Sequence, residues 1–188
     1  IAILRIEDKY GNVIEENQPK RREVLSKETA YLMTTMLEGN VNSGSGIRVR
    51  NFFGGPAAGK TGTTQEYADA WFIGFTPRIT AGVWVGFDNK SIHFTTGGGQ
   101  GGRAAAPIWG RFMHDVYADQ SIGMPMEYFV MPDGIERDTI CVESKKKATP
   151  FCPDVYEEVF SRAYPPGECP QHTSSQSGRR KSKNSISF

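Results

Sequence analysis

The 188-residue sequence has no strong charge imbalance, no long apolar run, no initiator methionine and no signal peptide. Its 22 lysines and arginines nearly balance 21 aspartates and glutamates, for a formal net charge of +1. Bulk electrostatics therefore give no reason to expect a nucleic acid partner. No apolar run is long enough to span a bilayer, and the sequence begins at Ile1 without methionine or a signal peptide. We therefore interpret the sequence as a segment of a longer protein.

Cysteine is scarce, and its three occurrences leave three interpretations open. Cys141, Cys152 and Cys169 all lie in the last third of the chain, and they are too few for a disulfide framework. With His172 they have the donor set of a tetrahedral zinc site, but the spacing lacks the paired C-x-x-C of specific zinc motifs. A disulfide, with Cys152 and Cys169 as the preferred pair, suits an oxidising compartment, and free thiols remain an alternative. From the sequence we expect no metal and no cofactor.

The N-terminal third predicts a hairpin followed by a helix. Two short apolar runs flank a turn over residues 8–12, where Gly11 can adopt a positive φ. Ser26 is placed to cap a helix that ends at Gly39. The predicted buried face of this helix comprises Ala30, Met33 and Leu37.

The middle of the chain predicts a sheet covered by a second helix. Three runs rich in β-branched and aromatic residues, at 60–64, 69–75 and 79–88, are joined by links too short for a crossover, so we expect an antiparallel meander. A flexible glycine-rich loop over 94–107 leads to a helix near Pro107. Its predicted buried face comprises Ile108, Phe112 and Val116. Trp71, Trp84 and Trp109 are predicted to pack in the core or at its edge.

The clearest chemical signal is the stretch "GGPAAGKTGTTQEYADAWFIGF" at 54–75. Lys-Thr-Gly at the start of an apolar strand is one part of a serine acyl-transfer site, whose other parts are Ser-x-x-Lys and Ser-x-Asn. Lys60 supplies a cation, and Thr61 and Thr63 supply hydroxyl donors. Gly62 leaves room for a substrate backbone, and the N–H of Thr63 is a candidate oxyanion donor. We predict catalytic roles for Lys60 and Thr63, and substrate binding by all four residues.

Four stretches in one order, "AGKTGTT", "DAWFIGFTP", "ITAGVWVGFDN" and "GGRAAAPIWGRFM", resemble the C-terminal part of the transpeptidase domain of class A penicillin-binding proteins, the bifunctional peptidoglycan synthases. The resemblance covers residues 1–119. It implies an α+β fold, part of the serine penicillin-recognition fold, with an antiparallel sheet flanked by helices. It also implies that Lys60 helps to orient and activate a nucleophilic serine. Thr61 and Thr63 would hold the carboxylate of a D-Ala-D-Ala stem peptide or a β-lactam.

The resemblance also implies the setting of the parent protein. That protein would act on the extracytoplasmic side of the bacterial cytoplasmic membrane, anchored by an absent N-terminal segment and bearing a glycosyltransferase domain. The implied partners are D-Ala-D-Ala stem peptides, β-lactams and the missing upstream part of the same protein. We expect residues 1–122 to be the C-terminal part of the transpeptidase domain. An irregular extension would follow over 123–172, and a disordered polar and basic tail over 173–188.

The nucleophile that this chemistry needs is missing from its expected place, since no Ser-x-x-Lys or Ser-x-Asn precedes Lys60. Two later matches, "SKKK" at 144–147 and "SKN" at 182–184, lie in polar, lysine-rich sequence, where a lysine stays charged and cannot act as a base. We therefore expect a fragment of a D,D-transpeptidase that is inactive alone. The alternative is a complete, non-catalytic module that binds cell-wall peptides through the same strand edge.

Overall fold

The computed structural model of the chain describes residues 3–18, 22–89 and 91–173. Within these residues, seven strands and two α-helices occur in the order β1 (Arg5–Glu7), β2 (Val13–Glu16), α1 (Lys27–Ser43), β3 (Ala58–Thr63), β4 (Asp69–Phe75), β5 (Thr80–Gly86), α2 (Gly101–Ala118), β6 (Ile135–Cys141) and β7 (Val155–Ser161). The strands form three antiparallel sheets, β1–β2, β3–β4–β5 and β6–β7. The predicted α+β fold class is confirmed.

The central sheet is the predicted meander. Lys60 of β3 lies opposite Ile73 of β4, and Ile73 lies opposite Gly82 of β5. A tight turn joins β4 to β5, with the N–H of Thr76 donating to the carbonyl of Ile79 at 2.9 Å. Alternate residues of β4 are buried, so one face of the sheet is available to pack against a helix.

Helix α2 covers that face, and Trp109 is its central buried side chain. The Trp109 ring lies edge-on to Phe53 and Phe72, with centroid separations of 6.3 and 5.4 Å. Its indole N–H donates to the carbonyl of Ala81 in β5 at 3.1 Å, so the one polar atom of the ring is satisfied inside the core. The buried cluster consists of Val41, Val49, Phe53, Ala57, Phe72, Ala105, Ala106, Trp109 and Met113.

Helix α1 is longer than the sequence predicts. Ser26 caps it, accepting the N–H of Thr29 at 3.2 Å, as predicted. The predicted end at Gly39 is wrong, because the helix continues to Ser43 and Gly44 follows as the C-cap. The predicted buried face is wrong as well, since Ala30 and Met33 are exposed.

Helix α2 also departs from its prediction, beginning at Gly101 in the predicted flexible loop and including Pro107 in its interior. Its buried face contains small residues around Trp109 and Met113, whereas Ile108 and Phe112 are about half exposed. A search for apolar periodicity favours the face with the largest apolar side chains. This helix packs closely through small side chains instead, so the periodicity indicated the wrong face.

The two outer hairpins differ in how well the sequence predicted them. The β1–β2 hairpin is confirmed, with Gly11 at φ +87° in its turn. The prediction of an irregular segment over 123–172 is wrong for β6 and β7, which pair in register along their full length. Five of the fourteen residues of these strands are charged, which weakened the strand signal. The domain boundaries at 122 and 172 stay predictions. Except for Thr173, the predicted disordered tail lies outside the described residues.

None of the helices within the described residues combines the length and apolar character that a membrane crossing requires.

We expect Trp109→Ala to lower the free energy of unfolding by about 3–5 kcal/mol, the usual cost of emptying a buried tryptophan site. Trp71→Ala is the matched control, because Trp71 is 42% exposed on the outer face of the sheet and contacts Trp84 there. Urea unfolding followed by circular dichroism measures both variants. Equal losses for the two would contradict the assignment of Trp109 as the core residue.

Candidate functional site

The predicted site residues lie on β3 at an open edge of the central sheet. β3 pairs with β4 on one side, and among the described residues no strand pairs with its other side. The N–H of Thr64 donates to the carbonyl of Asp69 at 3.0 Å, so it points toward β4. Because successive residues of a ladder point to opposite sides, the N–H and C=O of Thr63 point toward the open edge. The candidate oxyanion donor is therefore on the accessible side of the strand.

The Lys60 side chain is exposed and turns along the same edge. Its Nζ donates to the carbonyl oxygen of Thr61 at 3.0 Å and lies 3.4 Å from Thr61 Oγ1. Strand alternation places the two side chains on opposite faces, but the long lysine side chain reaches around the edge of the strand. The cation and the hydroxyl thus meet at the open edge.

A chain of hydrogen bonds links Thr61 to the end of α1. Ser45 Oγ lies 2.7 Å from Thr61 Oγ1 and donates to Asn40 Oδ1 at 2.9 Å. Since Ser45 has one hydroxyl proton and gives it to Asn40, Thr61 is the donor in its bond to Ser45. Asn40 Nδ2 in turn donates to the carbonyl of Gly59 at 2.8 Å. The hydroxyl proton of Thr61 is therefore used within the protein.

The Thr63 hydroxyl has a different partner. Its Oγ1 accepts the N–H of Gly101, the first residue of α2, at 3.0 Å. This bond uses a lone pair of the oxygen, so the hydroxyl proton remains available for an acceptor outside the protein. The N-terminus of α2 carries a partial positive charge, which favours an anionic group beside Thr63.

Two glycines allow α2 to approach β3 this closely. A Cβ at Gly101 would lie 2.3 Å from the carbonyl oxygen of Trp71 and 2.4 Å from that of Gly62. A Cβ at Gly102 would lie 2.2 Å from the carbonyl oxygen of Ser45. Backbone atoms cannot rotate away as a side chain can, so glycine is required at both positions.

A pocket of about 380 Å³ opens beside Thr61 and Thr63. Two arginines, Arg48 and Arg103, line it, and no acidic residue does among the residues that the structure describes. A basic pocket with hydroxyl donors and a helix N-terminus suits a carboxylate. Its lining residues are Gly44, Ser45, Ile47, Arg48, Thr61, Thr63, Tyr67, Gln100, Gly102 and Arg103.

The sequence predicted only Thr61 and Thr63 among these residues, and it did not indicate the side chains of Ser45, Arg48 and Arg103. All three lie within glycine-rich stretches, "NSGSGIR" and "GGGQGGR", and the second of these belongs to the flexible loop predicted over 94–107. Basic residues beside glycines were the one available signal, and that signal is too common to assign a site. A larger pocket of about 720 Å³ lies between α1 and residues 129–134, and none of the predicted site residues lines it.

Ser144 does not have the partner that a nucleophile needs. Lys147 Nζ pairs with Asp138 Oδ2 at 2.8 Å and lies 3.9 Å from Glu136 Oε1. The hydrogen bond with Asp138 raises the pKa of Lys147, so this lysine stays protonated at neutral pH and cannot take a proton from Ser144. The second match, at 182–184, lies outside the described residues.

The chain is similar in sequence to known penicillin-binding proteins. The family profile described as penicillin binding protein transpeptidase domain matches residues 2–114. The chain is 40% identical over 135 residues to penicillin-binding protein 1A of Aquifex aeolicus, a match covering 69% of the chain and 18% of that protein. It is 33% identical over 181 residues to penicillin-binding protein 1A of Clostridium tetani, covering 92% of the chain and 22% of that protein. The chain spans about a fifth of the length of these relatives.

The fold is also similar to a solved structure. The crystal structure of penicillin-binding protein 1A from Haemophilus influenzae matches 87% of the chain and 29% of its own length, with a TM-score of 0.66 and 21% sequence identity. At this identity the likeness shows the fold alone.

We expect Gly101→Ala to destabilise the protein by about 1–3 kcal/mol, the usual cost of overpacking, because its Cβ would overlap two carbonyl oxygens. Gly39→Ala is the matched control, since Gly39 lies in α1 with no atom within 4 Å of an added Cβ. That change should stabilise the protein by up to about 1 kcal/mol. Thermal unfolding of both variants measures the difference, and a stabilised Gly101→Ala would contradict the close contact between α2 and β3.

Proposed function

The chain belongs to the penicillin-binding protein transpeptidase family, and we propose that it forms one wall of the active site of a peptidoglycan D,D-transpeptidase. The proposed parent enzyme crosslinks stem peptides ending in D-Ala-D-Ala through an acyl-serine intermediate. The observation that carries the proposal is the open edge of β3. There the Lys60 ammonium, the Thr63 hydroxyl and the outward N–H of Thr63 lie beside a basic pocket.

The terminal carboxylate of the stem peptide occupies that pocket in this proposal. Thr63 donates its free hydroxyl proton to the carboxylate, and Arg48 and Arg103 supply positive potential with the N-terminus of α2. Thr61 shapes the pocket and accepts from Lys60. A β-lactam, which carries a carboxylate beside a strained amide, binds in the same way and competes with the peptide.

The peptide backbone lies along β3 as an added strand. An edge strand presents outward N–H and C=O groups to an extended ligand, and here those of Thr61 and Thr63 point outward. The N–H of Thr63 then reaches the carbonyl oxygen of the bond under attack and stabilises the negative charge that develops there, an effect worth a few kcal/mol. Lys60 orients the attacking hydroxyl and holds positive charge near it.

The nucleophilic serine comes from a segment that this sequence does not contain, together with the remaining wall of the site. The parent protein acts on the extracytoplasmic side of the membrane, anchored upstream, and carries the glycosyltransferase activity of a bifunctional synthase. A second candidate is a non-catalytic module that binds cell-wall peptides along the same open edge, a role that needs no nucleophile. The upstream reading frame separates the two, because an upstream Ser-x-x-Lys supports the enzyme.

We expect the 188-residue chain to give no labelled band with a fluorescent penicillin after denaturation, since acylation needs an activated serine. A protein extended upstream through Ser-x-x-Lys should be labelled. Lys60→Ala in that protein should strongly reduce labelling, because the change removes the cation at the edge of β3. Lys9→Ala, in the β1–β2 hairpin, is the matched control and should label normally. Stable labelling of the short chain would contradict the proposal.

We expect Thr63→Val in the extended protein to slow acylation by penicillin about 10- to 100-fold, the cost of one hydrogen bond to a charged group. With a penicillin methyl ester the loss should be much smaller, because the ester carries no carboxylate charge. Thr34→Val is the control, since the Thr34 hydroxyl donates to the carbonyl of Ala30 within α1. Acylation rates at several ligand concentrations test this, and equal losses with acid and ester would show that Thr63 does not recognise the carboxylate.

A further inference from the structure

Three cysteines and a histidine converge in the C-terminal part of the chain. Cys141 ends β6, Cys152 lies between β6 and β7, and Cys169 and His172 follow β7. Their donor atoms all lie within 4.8 Å of one another. All three thiols are free, so the preferred disulfide between Cys152 and Cys169 is wrong. The sulfurs surround a common centre with the histidine instead of pairing.

Two of the donor distances match a tetrahedral metal shell. Zinc lies about 2.3 Å from sulfur and about 2.0 Å from nitrogen, so tetrahedral angles place a sulfur and a nitrogen ligand about 3.5 Å apart. His172 Nδ1 lies 3.5 Å from Cys141 Sγ and 3.3 Å from Cys169 Sγ. Nδ1 of His172 thus lies at about the distance from both sulfurs that is expected when all three atoms bind one ion.

The other ring nitrogen of His172 has the partner expected of a metal ligand. Its Nε2 lies 3.4 Å from Glu143 Oε2, and the residue is only 4% exposed. Histidine ligands commonly donate their second N–H to a carboxylate, which sets the tautomer and orients the ring. With the proton on Nε2, the lone pair of Nδ1 points toward the sulfurs, as coordination requires.

The backbone holds these side chains in place before any ligand binds. The N–H of Cys141 donates to the carbonyl of Lys146, and that of Cys169 donates to the carbonyl of Lys147, both at 2.8 Å. Thr149 donates its N–H to Cys152 Sγ at 3.3 Å and its hydroxyl to the carbonyl of His172. The donors are therefore preorganised by main-chain contacts on either side of the loop.

The β6–β7 hairpin that carries this cluster has few other stabilising contacts. The β6–β7 hairpin is a sheet of its own, and an isolated two-stranded sheet is marginally stable. The fully buried apolar side chains in this region are few, with Ile135 and Ile140 in β6. A bound metal stabilises such a small unit directly, because its binding free energy becomes folding free energy.

We propose that Cys141, Cys152, Cys169 and His172 bind one Zn²⁺ in a structural site that stabilises the C-terminal hairpin. Three thiolates and an imidazole select zinc over magnesium or calcium. Four protein ligands complete a tetrahedron and leave no position for water, which distinguishes a structural site from a catalytic one. The site is independent of β3 and of the proposed transpeptidase activity.

The first test measures metal and thiols in the 188-residue chain purified without chelators. We expect about one zinc per chain by mass spectrometry, three thiols reactive with Ellman's reagent after denaturation, and a lower melting temperature after chelation that added zinc restores. Cobalt in place of zinc should give thiolate charge-transfer bands and the visible bands of a tetrahedral ion. A Cys152–Cys169 disulfide in the purified chain, or no bound zinc, would overturn the proposal.

The second test uses variants that separate metal binding from folding. His172→Gln should lose zinc, whereas His114→Gln on the exposed face of α2 should keep it. Because His172→Gln can also unfold the hairpin, Glu143→Gln is the more informative change. It should lower zinc affinity about 10-fold, as loss of a carboxylate behind a histidine ligand does, with an unchanged circular dichroism spectrum. Wild-type zinc affinity in both His172→Gln and Glu143→Gln would overturn the proposal.

Discussion

The contact between the N-terminus of α2 and β3 is the constraint on which the rest of the structure depends. Only glycine permits it, because carbonyl oxygens of β3, β4 and Ser45 occupy the space of a Cβ at Gly101 and Gly102. Once the helix begins there, its axis brings Trp109 over the sheet and between Phe53 and Phe72. The same contact aims the helix N-terminus at Thr63. Core packing and the electrostatics of the pocket thus follow from one close approach.

The predictable part of the fold is the part encoded by short-range pattern. The β3–β5 meander follows from β-branched and aromatic runs joined by tight turns, and Lys60 and Thr63 lie within one strand. The buried face of α2 was not predictable from apolar periodicity, since small residues make the contact and Ile108 is left outside. Arg48 and Arg103 reach the pocket from segments far apart in sequence, and only the packing of α1 and α2 against β3 brings them together.

The C-terminal cluster of three cysteines and His172 is a second site whose residues only the folded structure brings together. Specific zinc motifs are recognisable because ligands come in close pairs from one turn, and here only Cys169 and His172 are near neighbours. Cys141 and Cys152 come within reach because β6 pairs with β7 and the backbone beyond β6 bridges to residues after β7. That pairing lies in strands rich in charge, which the sequence pattern does not reveal. The donor types were visible in the sequence, but their convergence was not.

The open edge of β3 combines two opposing physical demands. A strand that accepts an extended ligand must expose outward N–H and C=O groups, and such an edge also invites pairing with other chains. Lys60 addresses both demands, since a charged side chain at an edge opposes strand pairing and its ammonium also covers the outward carbonyl of Thr61. The carboxylate of the proposed ligand, held beside Thr63, would also be attracted to this ammonium at longer range, an attraction that a neutral strand lacks. In the proposed enzyme, this charge favours an anionic peptide over a neutral strand.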